Sequence, residues 1–154
     1  MEKNFAYFGE KLGNWAKAQG FNNIKVQLGD YSEYNRAEGL VTVGMAAQSE
    51  TMRLYKGFLE ERYGIEGLGP CPQQFLSFLH ELGHAATLPH FEEMELSCFE
   101  WLKEGVSSYK AYWSIPDEEA ANEWVVDFLL NGDNDVAITQ LWAIIEELKW
   151  AYAI

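Results

Sequence analysis

Two histidines one helical turn apart, with a glutamate directly after the first, constrain this chain more than any other feature. They form His80-Glu81-Leu82-Gly83-His84, set inside the segment from Phe75 to Leu88. Phe75, Leu79, Leu82 and Ala86 recur at spacings of three and four, which predicts a helix with one buried apolar face. Residues i and i+4 project from the same side of a helix, so both imidazoles can reach a single metal ion. Glu81 lies about 100° further around the helix than His80, where its carboxylate can take a proton from a bound water without being a ligand. All three histidines of the chain fall between positions 80 and 90, a concentration that favours a metal site over scattered surface residues.

A catalytic zinc keeps three protein donors and leaves a fourth position open, so His80 and His84 require a third donor downstream. In the run from Ile115 to Trp124, Pro116 and Asp117 mark a helix start, with Glu118 and Glu119 in its first turn. Glu118 and Asn122 share one helical face, so Glu118 could bind the ion while Asn122 hydrogen-bonds a ligand from behind. A second candidate is His90, which falls at the last position of the longer H-E-x-x-H-x-x-G-x-x-H pattern. Against it, Thr87 replaces the glycine of that pattern, Pro89 precedes the histidine, and Met94 is the last methionine in the chain. Glu119 or another carboxylate is the remaining alternative.

With these residues in place the chain resembles the gluzincin-type metallopeptidases, and among them the ImmA/IrrE-like group. In that group an H-E-x-x-H helix is followed some tens of residues later by a helix bearing E-x-x-A-N and an apolar run. Here His80-Glu81-Leu82-Gly83-His84 matches the first part, and Glu118-Glu119-Ala120-Ala121-Asn122 with Trp124, Val125, Val126, Phe128, Leu129 and Leu130 matches the second. The likeness covers roughly residues 40 to 130. Trp124-Val125 stands where a Phe-Ala pair is usual in the group, and Asn131-Gly132 where Met-Pro is common. The resemblance implies a single zincin-like metallopeptidase domain over residues 1–154, a Zn2+ cofactor held by His80, His84 and Glu118, and Glu81 as the catalytic residue.

Length agrees with that organisation, since 154 residues suffice for one core and are too few for two ordinary domains. A net charge of −13 makes the surface hostile to nucleic-acid phosphates, while attracting cations and favouring basic substrate segments. The N-terminal Met1-Glu2-Lys3-Asn4-Phe5 is broken by charge before any apolar run develops, and no stretch approaches the roughly 20 apolar residues of a membrane span. The expectation is a cytoplasmic protein that uses neither membrane nor nucleic acid. Cys71 and Cys98 form no C-x-x-C pair and read as free thiols.

Along the chain, Phe5 to Gln19 reads as an amphipathic helix stopped by Gly20, followed by a strand at Ile24–Leu28 and a second at Gly39–Met45. Thr51 to Arg62 is helical, closed by Gly64, and a Gly- and Pro-punctuated loop leads into the histidine helix. Further helices are predicted through Leu96, Phe99, Leu102, Val106 and Tyr109, over Asp117–Leu130, and over Val136–Tyr152. The fold class is therefore α+β: a compact, mostly helical domain with a small sheet and the histidine pair on one helix. By position in the chain, Leu40 to Gly44 is the expected edge strand beside that helix, able to pair with an extended peptide.

An ion held by His80, His84 and Glu118 would lower the pKa of a bound water from about 15.7 towards 7. Glu81 would act as general base on that water and return the proton to the leaving nitrogen. Tyr109 and Tyr112 are candidate donors to the carbonyl oxygen. The expected function is a zinc-dependent peptidase of narrow specificity towards a peptide or an intracellular protein partner. The alternative is a zinc-binding regulatory protein that recognises a partner on a protease fold without cutting it.

Overall fold

The computed structural model describes residues 3–45, 49–66, 68, 71–87 and 112–152. The helix expected through Leu96 to Tyr109 lies outside them. Among the described residues the elements run α1 (Lys3–Ala18), β1 (Lys25–Gly29), β2 (Glu33–Asn35), β3 (Leu40–Gly44), α2 (Ser49–Tyr63), α3 (Gln73–Thr87), α4 (Pro116–Leu130) and α5 (Asp135–Tyr152). This is a compact α+β arrangement in which helix dominates and one small mixed sheet serves as platform. None of the described helices is long and apolar enough to cross a membrane.

Helix α1 forms because Phe8, Leu12, Trp15 and Ala16 line one stripe, and all four are buried. It ends where Gly20 takes φ +102°, with the Gly20 N–H on the Lys17 carbonyl and the Phe21 N–H on the Ala16 carbonyl. That left-handed residue closes the helix at little steric expense. Helix α5 presents Leu141, Ile145 and Leu148 inward, each fully buried, for about 1.5–3 kcal/mol apiece. Ile144 is partly buried against the same core, whereas Val136 is 70% exposed at the helix start. The indole N–H of Trp15 donates to the Ala137 carbonyl at 2.8 Å and so ties α1 to α5.

The sheet corrects two expectations. It has three strands, in the order β1-β3-β2, with β1 parallel and β2 antiparallel to β3. The strand Leu40–Gly44, expected at an edge, is therefore the central one, hydrogen-bonded on both sides. Its Val41 and Val43 are fully buried and Thr42 is 5% exposed, the near-continuous burial of an inner strand. Strand β2, Glu33-Tyr34-Asn35, is the edge on the side of the histidine helix, opposite Thr42, Val41 and Leu40. It lies within what the sequence reads as a polar loop, because an edge strand of three residues needs no apolar alternation.

Helix α3 carries the densest packing, with Phe75, Leu76, Phe78, Leu79 and Leu82 all at 1% exposure or less. It crosses α4 so closely at Gly83 that a Cβ there would stand 2.7 Å from the Ala121 carbonyl oxygen and 3.1 Å from its Cα. Only glycine permits that approach, since the obstacle is backbone and cannot turn aside. Gly83→Ala should therefore destabilise the protein by about 1–3 kcal/mol. Equilibrium denaturation in urea checks this, and an unchanged midpoint would contradict the contact.

Candidate metal centre

The crossing of α3 and α4 decides where the functional side chains meet. His80 and His84 lie one turn apart on α3, their rings 4.7 Å centroid to centroid and nearly perpendicular. Pro116 occupies the first turn of α4 with Asp117, Glu118 and Glu119, as its sequence predicts. From that turn Glu118 points at the two rings. Its Oε2 is 2.7 Å from His80 Nε2 and 3.2 Å from His84 Nε2, and the two Nε2 atoms are 3.1 Å apart. Two imidazole nitrogens and one carboxylate oxygen thus share a single point, at 8% exposure for Glu118.

Two of the three donors, His80 and Glu118, are held from behind. The hydroxyl of Tyr55, on α2, donates to Asn122 Oδ1 at 2.6 Å and lies 3.0 Å from His80 Nδ1. Since the hydroxyl proton is committed to Asn122, the bond from His80 is supplied by its own Nδ1–H. With Nδ1 so engaged, Nε2 is the ring nitrogen that faces Glu118. Asn122 Nδ2 in turn donates to the Trp113 carbonyl at 3.1 Å. Asn122, fully buried, therefore supports a ligand as its spacing suggests, but through Tyr55 and not by direct contact. The phenol of Tyr112 donates to Glu118 Oε1 at 3.0 Å, which satisfies the carboxylate oxygen turned away from the rings.

Glu81 is 7% exposed and its Oε2 has no hydrogen-bond partner among the described residues. Burial pushes its carboxyl above the usual range, against the pull of His80 and His84. Burial opposes charge on His84 as well. The hydrogen bond and charge of Glu118, helped by Glu81 and Asp117, nonetheless raise that imidazole to about 9. Glu118 also pays for its burial, but hydrogen bonds and charge from the two histidines carry it well below the ordinary carboxylate range. Burial first, then Glu118, pushes the phenol of Tyr112 upward, so it remains a proton donor.

Among the described residues two overlapping groups have the ligand types and proximity to hold a metal ion: His80 with Glu81 and His84, and His84 with Asp117 and Glu118, the atoms of each within 4.8 Å of one another. Glu119 belongs to neither, and its carboxylate lies 4.0 Å from Arg62. Cys71 is buried, its thiol pushed to about 12 by burial, and stands in neither group. Thr87 remains within α3, its hydroxyl on the Gly83 carbonyl at 2.8 Å. His90, Tyr109 and Cys98 lie outside the described residues. A cavity of about 260 Å³ opens beside the group, lined by Ser32, Glu33, Tyr34, Glu81, His84, Tyr112, Asp117 and Glu118.

No family model, curated protein or solved structure matches this chain.

Four contributors escape sequence reasoning. Tyr55 falls in the apolar stripe of α2 with Phe58 and Leu59, and nothing in that pattern distinguishes its hydroxyl. Ser32 and Glu33 belong to the unpredicted edge strand and the turn before it. Asp117 reads as a helix-start residue, although it also reaches His84. Tyr55→Phe would remove the oxygen between His80 Nδ1 and Asn122 Oδ1. Metal affinity should fall about 10- to 100-fold, measured by competition with a chromogenic chelator. Undiminished affinity would show that the Tyr55 hydroxyl does not orient the ligand.

Proposed function

We propose that this chain is a zinc-dependent peptidase of the zincin type, with His80, His84 and Glu118 as zinc ligands and Glu81 as general base. One observation carries the reading. Three donor atoms converge within 3.2 Å of one another, beside a buried glutamate oxygen that has no partner. A tetrahedral zinc with bonds of about 2.0–2.1 Å needs donors about 3.3 Å apart, so shifts of a few tenths of an ångström accommodate it. The donor set, two imidazoles and one carboxylate, is that of zinc sites which keep a position open for water.

When bound, zinc supplies Lewis acidity and a water whose pKa falls to about 7. Glu81 does the proton chemistry. A purely structural metal site has no use for a buried carboxylate without a partner, whereas a general base needs one within reach of the attacking water. The raised proton affinity of Glu81 suits it to accept that proton and hand it to the departing amide nitrogen. Tyr112 already spends its proton on Glu118 Oε1, so its part here is to orient a ligand, not to meet the carbonyl oxygen. The substrate is an extended peptide running along β2, whose outer edge is unpaired among the described residues.

Glu81→Gln should retain one zinc per chain by elemental analysis and lose hydrolysis of a peptide mixture by about 10²–10⁴-fold. If biological activity survived that substitution, the chain would instead be a zinc-binding recognition protein. The raised pKa of His84 makes a second prediction. Its stabilising contribution in zinc-free protein is complete below its ordinary 6.5 and vanishes as pH rises through about 9. The melting temperature of chelator-treated protein should therefore fall between about pH 7 and about 9.5. Zinc-loaded protein, in which the ion replaces that proton, should show no such fall.

A further inference from the structure

The cavity beside the metal ligands is charged beyond what a metal ion requires. Its described lining includes four carboxylates, from Glu33, Glu81, Asp117 and Glu118, and neither lysine nor arginine. A divalent ion offsets two of those charges and leaves two. Asp117 Oδ1 is engaged by the Glu118 backbone N–H at 2.9 Å. Glu33 is different: it is exposed, on the edge strand, and its carboxylate makes no ion pair among the described residues. Its charge reaches inward far enough to raise Glu81.

An extended peptide pairing with β2 gains main-chain hydrogen bonds that do not discriminate between sequences. Selectivity must then come from side chains. Glu33, opposite Thr42, and Tyr34, opposite Val41, both line the cavity from that strand. We propose that Glu33 makes this cleft selective for peptides bearing a lysine or arginine side chain close to the bond presented to Glu81. Cleavage of that bond rests on the peptidase reading, whereas the selectivity does not. A cationic side chain there would meet an exposed lining carboxylate that makes no ion pair among the described residues, in a protein of net charge −13. A glutamate or aspartate at the same place would face two uncompensated charges and be excluded.

The test uses the full zinc-loaded chain carrying Glu81→Gln, so that binding is read without turnover. Fluorescently labelled octapeptides of glycine and alanine, with one lysine walked through the positions, are titrated by anisotropy beside a matched set carrying norleucine. The best lysine peptide should bind about three- to tenfold more tightly than its norleucine counterpart. The gap should narrow in high salt, close when Glu33→Gln is added, and persist when Glu33→Asp is added. Equal binding of the two sets, a gap unmoved by Glu33→Gln, or failure of every peptide to bind a zinc-loaded chain would overturn the proposal. Loss of zinc on Glu33→Gln would also overturn it, by assigning Glu33 to metal capture. Cleavage of the same peptides by the unsubstituted chain separates the two readings. Equal cutting of both sets removes Glu33 and keeps the peptidase, whereas selective binding without cutting removes the peptidase and keeps Glu33.

Discussion

The close crossing of α3 and α4 at Gly83 and Ala121 is the contact on which the rest of the site depends. Helix axes ordinarily stand 8–10 Å apart, set by the side chains between them. With nothing larger than hydrogen at Gly83, the first turn of α4 comes near enough for Glu118 Oε2 to lie 2.7 Å from a histidine on the neighbouring helix. A methyl group there would push the carboxylate and the rings apart together. The glycine inside the His80–His84 pentapeptide thus serves the convergence of the two imidazoles and the carboxylate without touching any of them.

Bringing charged groups together under cover is unfavourable unless every polar atom is answered. The neighbourhood of His80 meets that demand with a chain of hydrogen bonds that runs through three elements and ends on a backbone carbonyl. His80 leans on Tyr55, Tyr55 on Asn122, and Asn122 on the carbonyl of Trp113. Trp113 packs on Tyr55 at 4.9 Å and on Phe58 at 5.4 Å, so the polar relay is sheathed by aromatic rings. Glu118 has Tyr112 for its second oxygen. Among these groups only Glu81 retains an unanswered oxygen, and it is the one that the proposed chemistry would use.

What could be read from sequence was local. The helix under His80 and His84 announces itself by period, and the start of α4 by Pro116 followed by three acidic residues. Sequence places Glu118 on one face with Asn122 and leaves Glu119 as an alternative, and only the packing of α4 on α3 decides between them. What could not be read depends on partners distant in the chain. Whether Leu40–Gly44 is an inner or an edge strand is decided by Glu33-Tyr34-Asn35, three residues without alternation. The role of Tyr55 depends on an amide 67 positions away, and one apolar helical face looks much like another until its neighbours are known.

The donors are far apart along the backbone: 38 residues separate Glu118 from His80, and 25 separate His80 from Tyr55. Contacts of such long range form only after sizeable loops have closed, and so belong to the late, topologically demanding part of folding. An unfolded chain offers an ion just the two neighbouring imidazoles. An ion in the complete site would therefore act as a rivet across α3 and α4, driven in after assembly and holding the finished molecule shut. Occupancy then doubles as a quality mark, distinguishing chains whose tertiary structure is complete from those that have only their helices.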